Sequence, residues 1–280
     1  MKLFTIHTGN FKLDGGAMFG VVPKMLWNKI NPADENNMCN WAMRCLLIEV
    51  NDRKILVDTG IGNKQSEKFY SHYYLNGSDS LANSLNEIGV GFDEITDVLL
   101  THLHFDHCGG AVTEIEGKYS PSFPNATYYT TKSHWFHANN PNPRERASFL
   151  HENFYALMEN NVLKFVKEGD FIADVIEIMV FNGHTIGMIA PLIHLANGNK
   201  LFYGADLIPS SGHLKPNFVM SYDIQPLISM EERERINAKA VESGWFYFYE
   251  HDLNVEVSNI HKNERNAYVI GETFRLEDIV

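Results

Sequence analysis

The run "VLLTHLHFDHCGG", residues 98–110, sets His102, His104, Asp106 and His107 in an HxHxDH arrangement behind a short apolar segment. Imidazoles and carboxylates bind divalent cations and activate water, and alternate positions of an extended chain point the same way. His102 and His104 can therefore converge on one ion, while the bend that follows turns Asp106 and His107 toward a second. A polar surface loop is the bland reading of such a run. The apolar "DVLL" before it and Gly109-Gly110 after it favour a metal loop.

Two ions need more ligands than one loop holds. His184 in "NGHTIG", Asp206 in "LFYGAD" and His251 in "YFYEHD" each follow an apolar, strand-like run, where a sheet presents side chains to a cleft. Taken singly, each is an ordinary strand-end residue. The ordered set "THLHFDH", "GHT", "GAD" and "EHD", preceded by "VDTG" with Asp58, resembles the metallo-β-lactamase fold superfamily of binuclear hydrolases, over residues 44 to 252. That resemblance implies an α/β (α+β) fold, a four-layer αββα sandwich with both metals at one edge between the sheets. It also implies that His102, His104 and His184 bind the first ion, Asp106, His107 and His251 the second, and that Asp206 bridges them. Asp58 is expected behind the ligands, orienting a histidine or buttressing the loop without touching metal.

Five imidazoles and two carboxylates without a thiolate suit two zinc ions, with manganese, iron or cobalt also compatible. The superfamily's diiron redox branch usually carries glutamate where this chain has His104, and its antibiotic-hydrolysing branch often has cysteine where this chain has Asp206. Both departures favour a binuclear hydrolase. Two cations sharing one water bring its pKa toward about 7, so a bridging hydroxide is the expected nucleophile, held by Asp106 and Asp206. Ligation needs neutral imidazole, so activity should fall below the ordinary histidine pKa of about 6.5. Cys108 reads as a packing residue of the loop.

Two further segments, "DGGAMFGVVPKMLW" (14–27) and "ADLIPSSGHLKPNFVMSYD" (205–223), resemble the branch of quorum-quenching N-acyl-homoserine lactone lactonases and methyl parathion hydrolase. The expectation is a lactonase that opens acyl-homoserine lactones, with an organophosphate triesterase or arylesterase as the alternative. Met18, Phe19, Trp27, Phe105, His213 and Tyr222 are the expected substrate-pocket residues. Some family lactonases carry a tyrosine shortly after the bridging aspartate; here Ile208 and Pro209 stand there, so His213 or Tyr222 would take its part. A glyoxalase-II-like thioesterase is less favoured because a short tail follows His251, and the intact ligand set argues against a non-catalytic metal-binding relative.

Strands are expected at 44–50 and 54–60 around an "NDR" turn, at "DVLL", at 126–131, at 174–181, 188–196 and 200–206, and at 245–252. Helices are expected at 78–90 with Ser78 as cap and Gly89 as stop, at 143–161 opened by its proline, and at 229–244 between Ser229 and Gly244. No linker or repeat divides the chain, so residues 1–280 read as a single hydrolase domain. Residues 1–30 would form an arm near the pocket or a subunit interface, which makes a homodimer the default.

Composition narrows the partners. The 280 residues are 44% hydrophobic and carry a formal net charge of −12, which repels the phosphate backbone of nucleic acid. Neither a membrane-length apolar run nor a basic leader followed by an apolar stretch is present, so a soluble, cytoplasmic protein is expected. Cys39, Cys45 and Cys108 should be reduced and buried. A small-molecule lactone or ester is the expected substrate.

Overall fold

The computed structural model describes all 280 residues. It places two mixed sheets face to face. The first runs, in spatial order, Lys2–Asp14, Met38–Val50, Arg53–Val57, Asp97–Leu99, Thr127–Thr131 and Leu163–Val166. The second runs Tyr268–Phe274, Val257–Lys262, Phe246–Phe248, Lys200–Tyr203, Leu192–His194, Ile176–Glu177 and Phe171–Ile172. The two-residue alternation of strand side chains explains the layering. Leu46 and Ile48 join Ile55 and Val57 in the core between the sheets, while Cys45, Leu47 and Leu56 point to the opposite face. That outer face is covered by Leu85 of helix Leu81–Glu87, by Trp135 and Ala138 of helix Lys132–Asn139 and by Leu157 of helix Tyr155–Glu159. The second sheet is covered by Pro226–Ser243, whose Asn237 accepts a hydrogen bond from Tyr247 (2.9 Å). Helix, sheet, sheet, helix is the expected four-layer order.

Both sheets are parallel where the site lies. Arg53–Val57 pairs parallel with Asp97–Leu99, and Lys200–Tyr203 pairs parallel with Phe246–Phe248. Their carboxyl ends open on one edge, where such sheets present side chains to ligands. Asp58, the 102–107 loop, Asp206 and His251 all follow those ends.

Several expected elements are redrawn. The helix expected at 143–161 is three short pieces, Arg146–Ser148, His151–Asn153 and Tyr155–Glu159. Its apolar residues serve different partners: Phe149 packs on His104 (centroids 4.8 Å) and His134, whereas Phe154 meets Trp135 (5.6 Å). One continuous helix cannot send both in those directions, so tertiary contacts override the periodicity. Helix Leu81–Glu87 is capped by Ser80, whose side chain accepts from Asn83 N, instead of Ser78. The long helix begins at Pro226, three residues before Ser229, and stops at Gly244 in the left-handed conformation (φ 66°). The apolar runs 174–181 and 188–196 break into pairs of short strands. Lys2–Asp14, not among the expected strands, is a long edge strand with a register shift between His7 and Asn10.

Candidate metal centre

The metal loop is clamped before any ion is considered. Thr59 binds the His107 carbonyl through its backbone N–H (2.8 Å) and its hydroxyl (2.9 Å), and the Leu103 N–H donates to His134 Nε2 (2.8 Å). His134 in turn donates from Nδ1 to the Ile186 carbonyl (2.8 Å), which ties the loop to the segment carrying His184. Burial pushes the His134 pKa down to about 3, so it stays neutral and keeps its acceptor nitrogen. Gly109 packs against the turn after Asp58: a Cβ there would stand 2.0 Å from the Ile61 carbonyl oxygen. Asp58 (φ 59°) and Ala205 (φ 42°) hold left-handed backbone at their strand ends, a conformation non-glycine residues keep where the surroundings demand it.

Four of the five donor histidines spend Nδ1 on the scaffold and turn Nε2 inward, whereas His104 turns Nδ1 toward His184 and has no scaffold partner. Thr101 gives its hydroxyl proton to Asp58 Oδ2 (2.6 Å), so the His102 Nδ1–H donates to Thr101 Oγ1 (3.0 Å). His107 donates from Nδ1 to Asp58 (3.2 Å), His184 from Nδ1 to Asp223 (2.9 Å) and His251 from Nδ1 to the Ala42 carbonyl (2.8 Å). Their Nε2 lone pairs are left facing one another and Asp206. The His184 Nε2 lies 3.2 Å from His104 Nδ1 and 3.1 Å from Asp206 Oδ2, while the other Asp206 oxygen lies 3.2 Å from His251 Nε2. His107 Nε2 stands 3.3 Å from His251 Nε2 and 3.6 Å from Asp106 Oδ2.

Donors about 2.0–2.1 Å from one tetrahedral zinc are separated by roughly 3.4 Å, so this spacing fits cations between them. His102 Nε2 and Asp206 Oδ1 are buried without a hydrogen-bond partner, as ligand atoms prepared for an ion would be. The donors fall into two groups, His102–His104–His184–Asp206 and Asp106–His107–His251, with the two Asp206 oxygens reaching toward both.

The electrostatics run the same way. Burial, followed by the neighbouring imidazoles, holds His102 and His104 well below the ordinary histidine range. Burial also opposes charge on His107, but Glu250, Asp106 and Asp206 outweigh it and raise its pKa well above that range. At His251, burial is outweighed by Asp206 and Glu250, giving a pKa of about 9. Asp206 is buried too, yet His184, His107 and His251 draw it well below the carboxylate range. The cluster attracts positive charge, and metal binding would release the protons these rings hold.

Above the donors lies a cleft of about 240 Å³ lined by Leu13, Met18, Tyr73, Phe105, Met220 and Tyr222, with His104, Asp106, His184, Asp206 and His251 also in its wall. Phe105 packs on Phe69 (5.3 Å, edge to face) and Tyr73 (4.6 Å). Of the expected pocket residues, Met18, Phe105 and Tyr222 line this cleft. Phe19, Trp27 and His213 do not; they form a buried stack behind it. Phe19 lies parallel to both His213 (4.6 Å) and Trp27 (5.5 Å), and His213 bonds Ser210 (2.7 Å) and the Met18 carbonyl (2.9 Å). His213 thus fixes the strip that carries Met18 and lies outside the cleft wall. Cys108 is buried, and burial pushes its thiol up to about 12.

Sequence reading missed Asp223, the partner of His184; His134, which holds the metal loop; and Glu250, 3.2 Å from His107 Nδ1. Asp223 and Glu250 sit inside the quoted segments "SYD" and "EHD". An isolated histidine such as His134 carries no sequence signal.

Comparison with known proteins bears on the family and the fold. The model of the metallo-beta-lactamase superfamily matches residues 44–185. N-acyl homoserine lactonase AiiA of Bacillus thuringiensis subsp. kurstaki is 22% identical over 273 residues, covering 92% of this chain and 95% of that protein. A probable metal-dependent hydrolase from Staphylococcus aureus has a TM-score of 0.87 at 29% identity, covering 98% of both chains. AidC, a dizinc quorum-quenching lactonase in complex with a product N-hexnoyl-L-homoserine, has a TM-score of 0.80 at 22% identity, covering 98% of this chain and 95% of its own.

Proposed function

The chain belongs to the metallo-beta-lactamase superfamily and is a metal-dependent hydrolase, and from that premise we propose that it is a binuclear zinc lactonase opening N-acyl-homoserine lactones. The observation that carries the proposal is the union of two donor groups, with Asp206 between them, beneath a cleft whose wall is largely apolar. In this reading His102, His104 and His184 hold the first ion, Asp106, His107 and His251 the second, and Asp206 spans both. The ions would supply hydroxide at neutral pH and polarise the ester carbonyl.

The protein's own part is to hold and orient. Asp58 and Asp223 fix the rings of His107 and His184 by accepting their Nδ1 protons. Met18, Phe105 and Met220 offer apolar surface to an acyl chain and exclude water from the ester. Tyr222 stands in the cleft where Ile208 and Pro209 cannot act. Burial, then Tyr73 and the site's aspartates, raise its pKa, so its hydroxyl keeps the proton it would donate to the substrate carbonyl. AiiA and AidC, both lactonases by name, support the substrate class.

Two lesser points belong to the same reading. Val21, Met25 and Leu26 are exposed on the amino-terminal segment, which supports a homodimer, to be checked by light scattering. Three unpaired cysteines are in keeping with a cytoplasmic setting; no helix is long and apolar enough to cross a membrane.

The test is a panel of short- and long-chain acyl-homoserine lactones, paraoxon-type triesters and aryl esters, with metal content measured on the same sample. Lactones leading in kcat/KM with two zinc ions per chain is the expected result. Inert lactones at full metal occupancy would pass the substrate assignment to the triesters or aryl esters.

A further inference from the structure

Glu250 is a buried acid that the reaction outlined above does not use. It is 1% exposed, both its carboxyl oxygens lack a hydrogen-bond partner, and its sole ion-pair contact is with His107 Nδ1, 3.2 Å from Oε1. Asp58 already accepts the proton of that nitrogen. Arg44, buried in the adjoining strand, spends Nη1 on the Tyr249 carbonyl (2.6 Å) and forms no ion pair with Glu250. A buried carboxylate with neither hydrogen bond nor cation is strongly unfavourable, so it keeps its charge only where positive charge compensates it.

The neighbouring acids show where that charge belongs. Asp58, Asp106, Asp206 and Glu250 are all buried around the donors, whereas Asp223 faces the buried guanidinium of Arg233 (3.7 Å). Asp58, Glu250 and His107 form a compact group of their own, and His107 turns its other nitrogen to Asp106 and His251. Glu250 therefore bears on the second half of the centre, touching the His107 ring and acting by charge on His251.

We propose that Glu250 is a second positioning acid of the metal centre, acting beside Asp58 on His107 to hold the cation of the Asp106–His107–His251 half. It touches neither substrate nor metal. The inference rests on the binuclear reading and adds to it a residue that sets the affinity of one half selectively.

The test strips metal-loaded, full-length protein with a competing chelator and counts zinc ions per chain, in wild type, E250Q and E250D. D106N, which removes a ligand from the second half alone, identifies that half's ion. E250Q, nearly isosteric but uncharged, should release the second ion with about 10–100-fold lower affinity and leave the first within about two-fold, as loss of a partner behind a ligand does. E250D, which keeps the charge, should lose less. Equal affinities in E250Q and wild type, or equal weakening of both ions, would overturn the proposal, the second outcome marking a merely structural acid. Should E250Q not fold, E250D must show a smaller loss confined to the second ion, and equal loss at both ions again overturns it. Wild type carrying fewer than two ions would sink the binuclear reading itself, and this inference with it.

Discussion

In the proposed binuclear centre Asp206 is the residue on which both halves depend, because one of its oxygens lies 3.1 Å from His184 and the other 3.2 Å from His251. Its substitution by asparagine preserves shape and removes the charge that two cations would share. D206N should fold like wild type by circular dichroism yet lose more than about 100-fold in kcat, with zinc content falling below that of the parent. Turnover equal to wild type would refute its place in the centre. His213 teaches the opposite lesson at the same scale. It follows the Asp206 segment, as a substrate-facing residue would, but stacks on Phe19 and bonds Ser210 and the Met18 carbonyl. A histidine's type is visible in the sequence; which of its nitrogens is already taken is not.

Among the elements, the metal loop and the turn after Asp58 act as one piece. Gly109 meets the Ile61 carbonyl, Gly62 (φ 68°) meets the Gly109 carbonyl, and Thr59 binds His107 from the same turn. There is no room for a methyl group between these backbones. G109A should therefore cost about 1–3 kcal/mol or more in urea unfolding, the range of overpacked sites, and should weaken metal retention because Asp58 and the loop move apart. Wild-type stability in G109A would show that the loop can slide. The segment 143–161 illustrates how an element escapes its periodicity: Phe149 must reach His104 while Phe154 reaches Trp135. The chain breaks into short turns to satisfy both, and residues 144, 145, 147 and 148 thereby join the wall of the cleft.

For the whole molecule, the fully buried neutral histidines His134 and His213 set a liability in acid. Burial lowers each to about 3 from an ordinary value near 6.5, so the unfolded chain binds the protons first. Their contribution to stability is complete above pH about 6.5 and is lost as pH falls toward 3, at up to about 1.4 kcal/mol per pH unit for each group. Urea unfolding between pH 7 and 4 should show this decline, and H213Q should make it shallower; an unchanged slope in H213Q would locate the effect elsewhere. By itself the sequence determined the donor types, their order along the chain, the strands that deliver them and the superfamily, because ligand chemistry and alternating apolar runs are local properties. Only the tertiary structure decided that Glu250 and Asp223 stand behind the histidines, that Phe19, Trp27 and His213 support the cleft without lining it, and that Lys2–Asp14 edges the first sheet. Those assignments depend on contacts between residues far apart in the chain, such as His213 with Met18 or His251 with Ala42. A local pattern cannot encode which distant atom a side chain will meet, since that follows from how the two sheets close on each other.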